Sequence, residues 1–167
     1  MNDYDDLEKN RANFVPLSPL SLISRTAALY PDRQAVVHGD RRYTWADVFS
    51  RCRQLSSGLK GLGIGRGDTV AVMAANTPEM IECHYGVAAS GGVLNTINTR
   101  LEAETIAYIL ADSDSKLLIA DTAFHGSVAA ALQILDHDIE VIDLRDMALG
   151  DLPPLGRRDY EAFIATG

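Results

Sequence analysis

The run TVAVMA at Thr69–Ala74 has no polar residue inside it, and KLLIA at Lys116–Ala120 is apolar after its first residue. Successive strand residues point to opposite faces, so a strand wetted on one side alternates apolar and polar side chains. A strand apolar on both faces needs cover on both. The segments between such runs can supply it, because their apolar residues recur at three- and four-residue spacing. Thr77–Ser90 reads as a helix with Glu79 and Glu82 on its wet side. Leu101–Ala111 is helical through Ala103, Ile106, Ala107 and Leu110, and Thr122–Leu135 through Phe124, Val128, Leu132 and Leu135. Val93–Ile97 and Ile139–Leu144 read as two more strands. This alternation predicts an α/β fold, a mostly parallel sheet with helices on both faces.

The N-terminal part follows a different grammar. Residues 1–16 carry Asp3, Asp5, Asp6 and Glu8 and read as a flexible acidic arm. Ser18-Pro19 opens a helix, with Ser18 as N-cap and Pro19 at the first position. Gln34–His38 and Arg41–Trp45 flank Gly39-Asp40 and read as a small β-hairpin. From Thr44 a longer helix runs through Phe49, Cys52, Leu55, Leu59 and Leu62, then stops in GLGIGRGD. At the other end, residues 145–158 contain Gly150 and Pro153-Pro154 and read as a surface linker. A short helix, Asp159–Ala165, follows it. Residues 17–144 are therefore expected to form one subdomain, with 145–167 leading towards a missing remainder.

Lys and Arg number 15 against 23 Asp and Glu, a net charge of −8. That argues against a nucleic-acid partner, whose phosphate backbone needs a cationic face. No apolar run approaches the roughly 20 residues of a membrane span. The start, MNDYDDLEKN, is acidic where a signal peptide would be basic, and Cys52 and Cys83 both fall in helical patterns. These features lead to the expectation of a cytoplasmic protein with reduced core thiols.

Few residues suggest chemistry of their own. Gly61, Gly63, Gly65 and Gly67 resemble a dinucleotide loop, but that loop needs a strand before it and a helix after it. Here the order is reversed, which favours a helix stop and a tight lead-in to a strand. Arg66-Gly67-Asp68 spells an adhesion tripeptide without the context for it. The chain contains no Gly-x-x-x-x-Gly-Lys-Ser/Thr loop and no Gly-x-Ser-x-Gly elbow. His38, His84, His125 and His137 show no metal-ligand spacing with the cysteines. His84 stands out by its place near the apolar side of its helix, where a partly buried structural histidine is expected ahead of a catalytic base. Asp112 and Asp114 read as solvent-facing or capping groups.

The stretch SGGVLNTINTRL at Ser90–Leu101 combines two glycines, hydroxyl and amide side chains and an arginine. Gly91 suits the left-handed residue that ends a helix, and Gly92 the turn into a strand. Asn95, Thr96, Asn98 and Thr99 fall at or beyond that strand's C-terminal end, where open parallel sheets take ligands. Thr99 is also placed to cap the next helix.

The series PDRQAVVHGDRRYTWADV, LGIGRGDTVAVMAANTPEM, HYGVAASGGVLNTINTRLEAETIAYIL and DSDSKLLIAD resembles, in order, the N-terminal part of AMP-forming acyl-CoA synthetases. These belong to the adenylate-forming superfamily, and the wording is nearest to medium- or short-chain members. The resemblance spans about residues 17–144 and implies an enzyme that uses ATP to convert a carboxylic acid, expected to be a fatty acid, to acyl-AMP. The acyl group then passes to CoA, and Mg2+ offsets phosphate charge.

The resemblance also implies that the catalytic motifs lie elsewhere. The Thr-Ser-Gly-Thr-Thr-Gly-x-Pro-Lys-Gly phosphate loop and the Tyr-Gly-x-Thr-Glu motif do not occur in this sequence. This chain alone is therefore expected to be inactive, with no catalytic residue, no metal ligand and no tight cofactor binding. Two positions of Asn98-Thr99-Arg100-Leu101 carry over as CoA-site candidates: Arg100, which matches an arginine that in some CoA-using relatives meets the CoA phosphate, and Asn98 of the same run. An exposed arginine at a helix start is the plainer alternative. A fragment without its other half would bare an apolar edge or face, which predicts poor solubility or self-association. A flavodoxin-like small-ligand module and a non-catalytic interaction domain are the alternative readings.

Overall fold

The structure, a computed structural model, describes residues 8–12, 14–15, 17–145 and 153–167. Most of the proposed acidic arm, and Gly150 of the proposed linker, lie outside the described residues. Ser18 caps α1 (Pro19–Leu29), its Oγ accepting from the Leu20 N–H. A hairpin of β1 (Gln34–His38) and β2 (Arg41–Thr44) follows, turning at Gly39 with φ +55°. Thr44 then caps α2 (Trp45–Gly61) in a reciprocal box, its hydroxyl accepting from the Asp47 N–H while the Asp47 carboxylate accepts from the Thr44 N–H.

The remaining elements build one parallel sheet. In chain order they are β3 (Thr69–Met73), α3 (Pro78–Ser90), β4 (Val93–Thr96), α4 (Ala103–Asp112), β5 (Ser115–Asp121), α5 (His125–Ile134), β6 (Glu140–Leu144), β7 (Arg158–Asp159) and α6 (Tyr160–Ile164). A single 3-10 turn, Thr122–Phe124, precedes α5. The sheet order is β4-β3-β5-β6-β7, and every pairing is parallel. From β3 the chain steps outward to β4, then crosses back to β5 on the other side of β3. The direction of winding thus reverses between β3 and β5.

Both faces of the sheet are covered, as the apolar runs require. Val70, Val72, Leu117, Ile119 and Ile142 face one way, into a core made with Leu55, Leu59, Cys83, Val87, Tyr160, Phe163 and Ile164. Ala71, Met73, Leu118, Ala120 and Val141 face the other way, towards Ile106, Leu110, Val128 and Ala131. A third cluster packs Ile23, Val48 and Cys52 against the hairpin.

GLGIGRGD is a helix stop and strand lead-in, with Gly63 and Gly67 at φ +83° and +90°. Gly91 ends α3 at φ +96°. Two local expectations are corrected. Thr99 caps nothing: α4 starts later, after Glu102, so Thr99 belongs to the loop before it. Arg158, the last residue of the expected linker, and Asp159, expected to begin the last helix, together form a two-residue strand. Two residues are too few to leave a strand signature in a sequence.

Candidate functional site

In doubly wound sheets, ligands enter outside the carboxyl ends of the strands, where the winding reverses. Here that crevice lies beyond Met73 of β3, Asp121 of β5 and Leu144 of β6. It is lined by Thr77, Glu79, Asp121, Leu144 and Arg145, together with Arg41 from the hairpin and Asp159–Glu161 from the C-terminal segment. The chain's own side chains close it to a cavity of about 30 Å³, room for one or two waters.

Two linked ion-pair groups do the closing. Arg41 pairs with Glu79 and donates from Nη2 and Nε to the Tyr43 hydroxyl at 2.6 and 3.0 Å. Deeper in, Arg51 on α2 donates from Nε to Glu82 Oε1 at 2.6 Å and from Nη2 to Oε2 at 3.2 Å. The same guanidinium binds Glu161, with Nη1 to Oε2 at 2.9 Å and Nη2 to Oε1 at 2.6 Å. The Tyr160 hydroxyl donates to Glu82 Oε2 at 2.8 Å. Both guanidiniums lie near the Tyr43 ring, with Arg41 Cζ 5.3 Å and Arg51 Cζ 5.6 Å from its centroid.

Glu79 and Glu82 therefore overturn the expectation of a wet helix face. Glu82 is 1% exposed and Glu79 8%. A buried carboxylate persists only with hydrogen-bonding, usually cationic, partners. Those partners come from Arg41, Arg51 and Tyr160, all distant in sequence. A local signal existed: Glu79, Glu82, Cys83, Gly86 and Ser90 form one continuous stripe at helical spacing, all buried. Burial alone would raise both carboxyls. At Glu79 the bonds from Arg41, its own backbone N–H and Thr77 win, and its pKa is held below the usual range. At Glu82 burial wins over Arg51 and Tyr160, and the pKa is raised.

His84, expected near the apolar side, is exposed, its Nδ1 at 2.7 Å from the Met80 carbonyl oxygen. Asp112 and Asp114 are exposed, as expected. Asn98 and Arg100 sit together on the exposed loop between β4 and α4, where the Arg100 N–H donates to Asn98 Oδ1 at 2.9 Å. They do not line the crevice, because β4 lies on the far side of β3. Among the described residues, no three His, Cys, Asp or Glu side chains gather as a metal-holding group. The crevice does not fit the phosphates of ATP or CoA: it is small, and its charged lining is Glu79, Asp121, Asp159 and Glu161 against Arg41 and Arg145.

The sequence profile of the AMP-binding enzyme family matches residues 23–159. The chain belongs to the AMP-binding enzyme family. A peroxisomal acetate/butyrate–CoA ligase of Arabidopsis thaliana is 38% identical over 99% of the chain, which covers 31% of that relative. An acetate–CoA ligase of Humulus lupulus is 44% identical over 80% of the chain and 23% of its own length. Among solved structures, an anthranilate CoA ligase in complex with anthranoyl-AMP superposes with a TM-score of 0.79 at 22% identity. That match covers 88% of this chain and 27% of the ligase, and it shows the shared fold. The chain thus spans under a third of the length of these relatives.

Proposed function

We propose that this chain is the N-terminal part of an AMP-forming acid–CoA ligase. Such a ligase activates a carboxylic acid with ATP to an acyl-adenylate and passes the acyl group to the CoA thiol, with Mg2+ on the phosphates. The observation that carries this reading is the 38% identity to an acetate/butyrate–CoA ligase across 99% of the chain. We take the acid to be aliphatic, the class for which that relative and the Humulus enzyme are named. Within such an enzyme this part supplies a scaffold, because its sheet-end crevice is closed by its own side chains and lined mainly by acids.

Two measurements test this reading. A chimera in which this chain replaces the matching residues of the acetate/butyrate ligase is expected to form acetyl-CoA or butyryl-CoA. A chimera that unfolds cooperatively yet makes neither product overturns the assignment. The chain alone is expected to give no ATP–pyrophosphate exchange with acetate or butyrate, and exchange above background would refute its inactivity.

Arg100 is proposed to meet the CoA phosphate, with the Asn98 side chain fixing the turn that presents it. In the active chimera, Arg100→Ala should raise the KM for CoA about tenfold, the loss of one exposed charge-assisted contact worth ~1.4 kcal/mol. The KM for ATP should stay the same. An unchanged KM for CoA removes Arg100 from the site.

A further inference from the structure

The C-terminal segment is attached to the rest of the fold in an unequal way. Its strand makes only two register pairs, Ile142 with Arg158 and Asp143 with Asp159, at one edge of the sheet. Its helix has five residues, too short to hold itself without packing. Just before it, the turn at Leu155-Gly156 is pinned hard. Both backbone N–H groups donate to Asp143 Oδ1, at 3.0 and 2.9 Å, and Asp143 is 1% exposed. Gly156 lies so close to β6 that a Cβ there would stand 2.1 Å from the Val141 carbonyl oxygen.

Beyond that turn, two exposed ion pairs, Arg158 with Glu140 at 2.7 Å and Asp159 with Arg145 at 3.8 Å, flank the deeper attachment, that of Tyr160 and Glu161 to the Arg51–Glu82 pair. Lifting the segment off would leave this pair intact, with both charges gaining water in place of a phenol and a carboxylate. Detachment therefore strands no buried charge, which is the usual barrier to breaking a buried ionic group. What the segment covers is the crevice at the winding reversal, together with Leu55, Leu59 and Cys83 in the core beneath Tyr160, Phe163 and Ile164.

We propose that residues 158–164 are a releasable cover over the sheet-end crevice, hinged at the Asp143-pinned turn and latched through Tyr160 and Glu161 onto the Arg51–Glu82 pair. Opening this cover gives solvent and small solutes access to Thr77 and the C-terminal ends of β5 and β6 while the rest of the sheet stays folded. Opening must also expose Tyr160, Phe163 and Ile164 from the core, so the open state is a rare sub-global one, read through the reactivity it allows. The proposal does not depend on the ligase reading, and its test needs no enzymatic activity.

The two cysteines make opening measurable. Cys83 is 0% exposed and lies in the same core cluster as Tyr160, Phe163 and Ile164. Cys52 is 3% exposed but belongs to the separate cluster beneath α1 and the hairpin. Burial pushes both thiols up, Cys52 to about 12 and Cys83 further, so neither reacts while covered. The experiment is native-state alkylation with iodoacetamide, with the two sites resolved by mass spectrometry. Cys83 is expected to react at least about tenfold faster than Cys52. Glu161→Gln, at a side chain 57% exposed, should speed Cys83 severalfold and leave Cys52 unchanged. Tyr160→Phe should do the same more strongly, and the Glu161 variant carries the test if the Tyr160 variant does not fold. A common rate for both cysteines, a faster Cys52, or a Cys83 rate insensitive to Glu161→Gln overturns the cover.

Discussion

Arg51→Ala is expected to remove about 3–5 kcal/mol of stability at pH 7, because it leaves the Glu82 carboxylate buried without its cation. The pair is well inside the protein, with side-chain exposures of 17% for Arg51 and 1% for Glu82. The loss should depend on pH in a definite direction. In the intact protein, burial already holds the Glu82 carboxyl above the usual glutamate range, against the pull of Arg51 and Tyr160. A carboxyl with a raised folded pKa binds its proton more tightly folded than unfolded. Its favourable contribution is complete below the unfolded value and fades as pH rises through the folded one. Without Arg51 that value moves higher still. Urea unfolding should therefore show a smaller penalty at pH 5 than at pH 7, since at pH 5 Glu82 can be neutral. An equal penalty at both pH values would mean that Glu82 stays ionised without Arg51, and the burial argument would fail.

Glu79, three residues earlier on α3, should behave in the opposite sense. Its folded pKa is held below the usual range, so it adds stability at neutral pH that is lost as pH falls through that depressed value. Neighbouring carboxylates with similar burial thus make opposite contributions to the acid limb. The difference lies in the balance of burial against partners: Thr77 and a backbone N–H help Arg41 at Glu79.

These two glutamates also mark where reading the sequence stops being sufficient. The parallel sheet was legible because VAVM and LLIA are apolar at every residue, and only cover on both faces satisfies that. Helix ends were legible where one residue type suits the geometry, as at Ser18, Thr44 and Gly91. Glu79 and Glu82 were misplaced because periodicity treats a carboxylate as wet, and the partners that bury Glu82 lie 31 and 78 residues away. The two-residue β7 escaped because its pairing with β6 has no local pattern. Asn98 and Arg100 were singled out by family resemblance, and the fold explains their shared turn without supplying a ligand.

The contact between α2 and α3 carries the other large effect. Leu55 is 0% exposed at the centre of the core facing α3, and Leu55→Ala is expected to cost about 2–5 kcal/mol as a buried cavity forms. Gly86 lies directly opposite. A Cβ there would stand 2.6 Å from Leu55 Cδ2, 2.9 Å from Cγ and 3.0 Å from Cβ. Two of those atoms are near the root of the side chain and cannot swing away, so Gly86→Ala should incur an overpacking cost of about 1–3 kcal/mol. The helix gains only about 1 kcal/mol from replacing glycine with alanine, which leaves a net loss. In a Leu55→Ala background Cγ and Cδ2 are gone, and only the Cβ of residue 55 remains at 3.0 Å, a contact that a shift of a few tenths of an ångström relieves. The added methyl then enters the vacated space, and the helical gain remains. Gly86→Ala should thus change sign, destabilising the parent and stabilising the Leu55→Ala variant by up to about 1 kcal/mol. Urea unfolding of the four proteins measures the cycle directly. Additive losses would show that α2 and α3 do not meet at this pair.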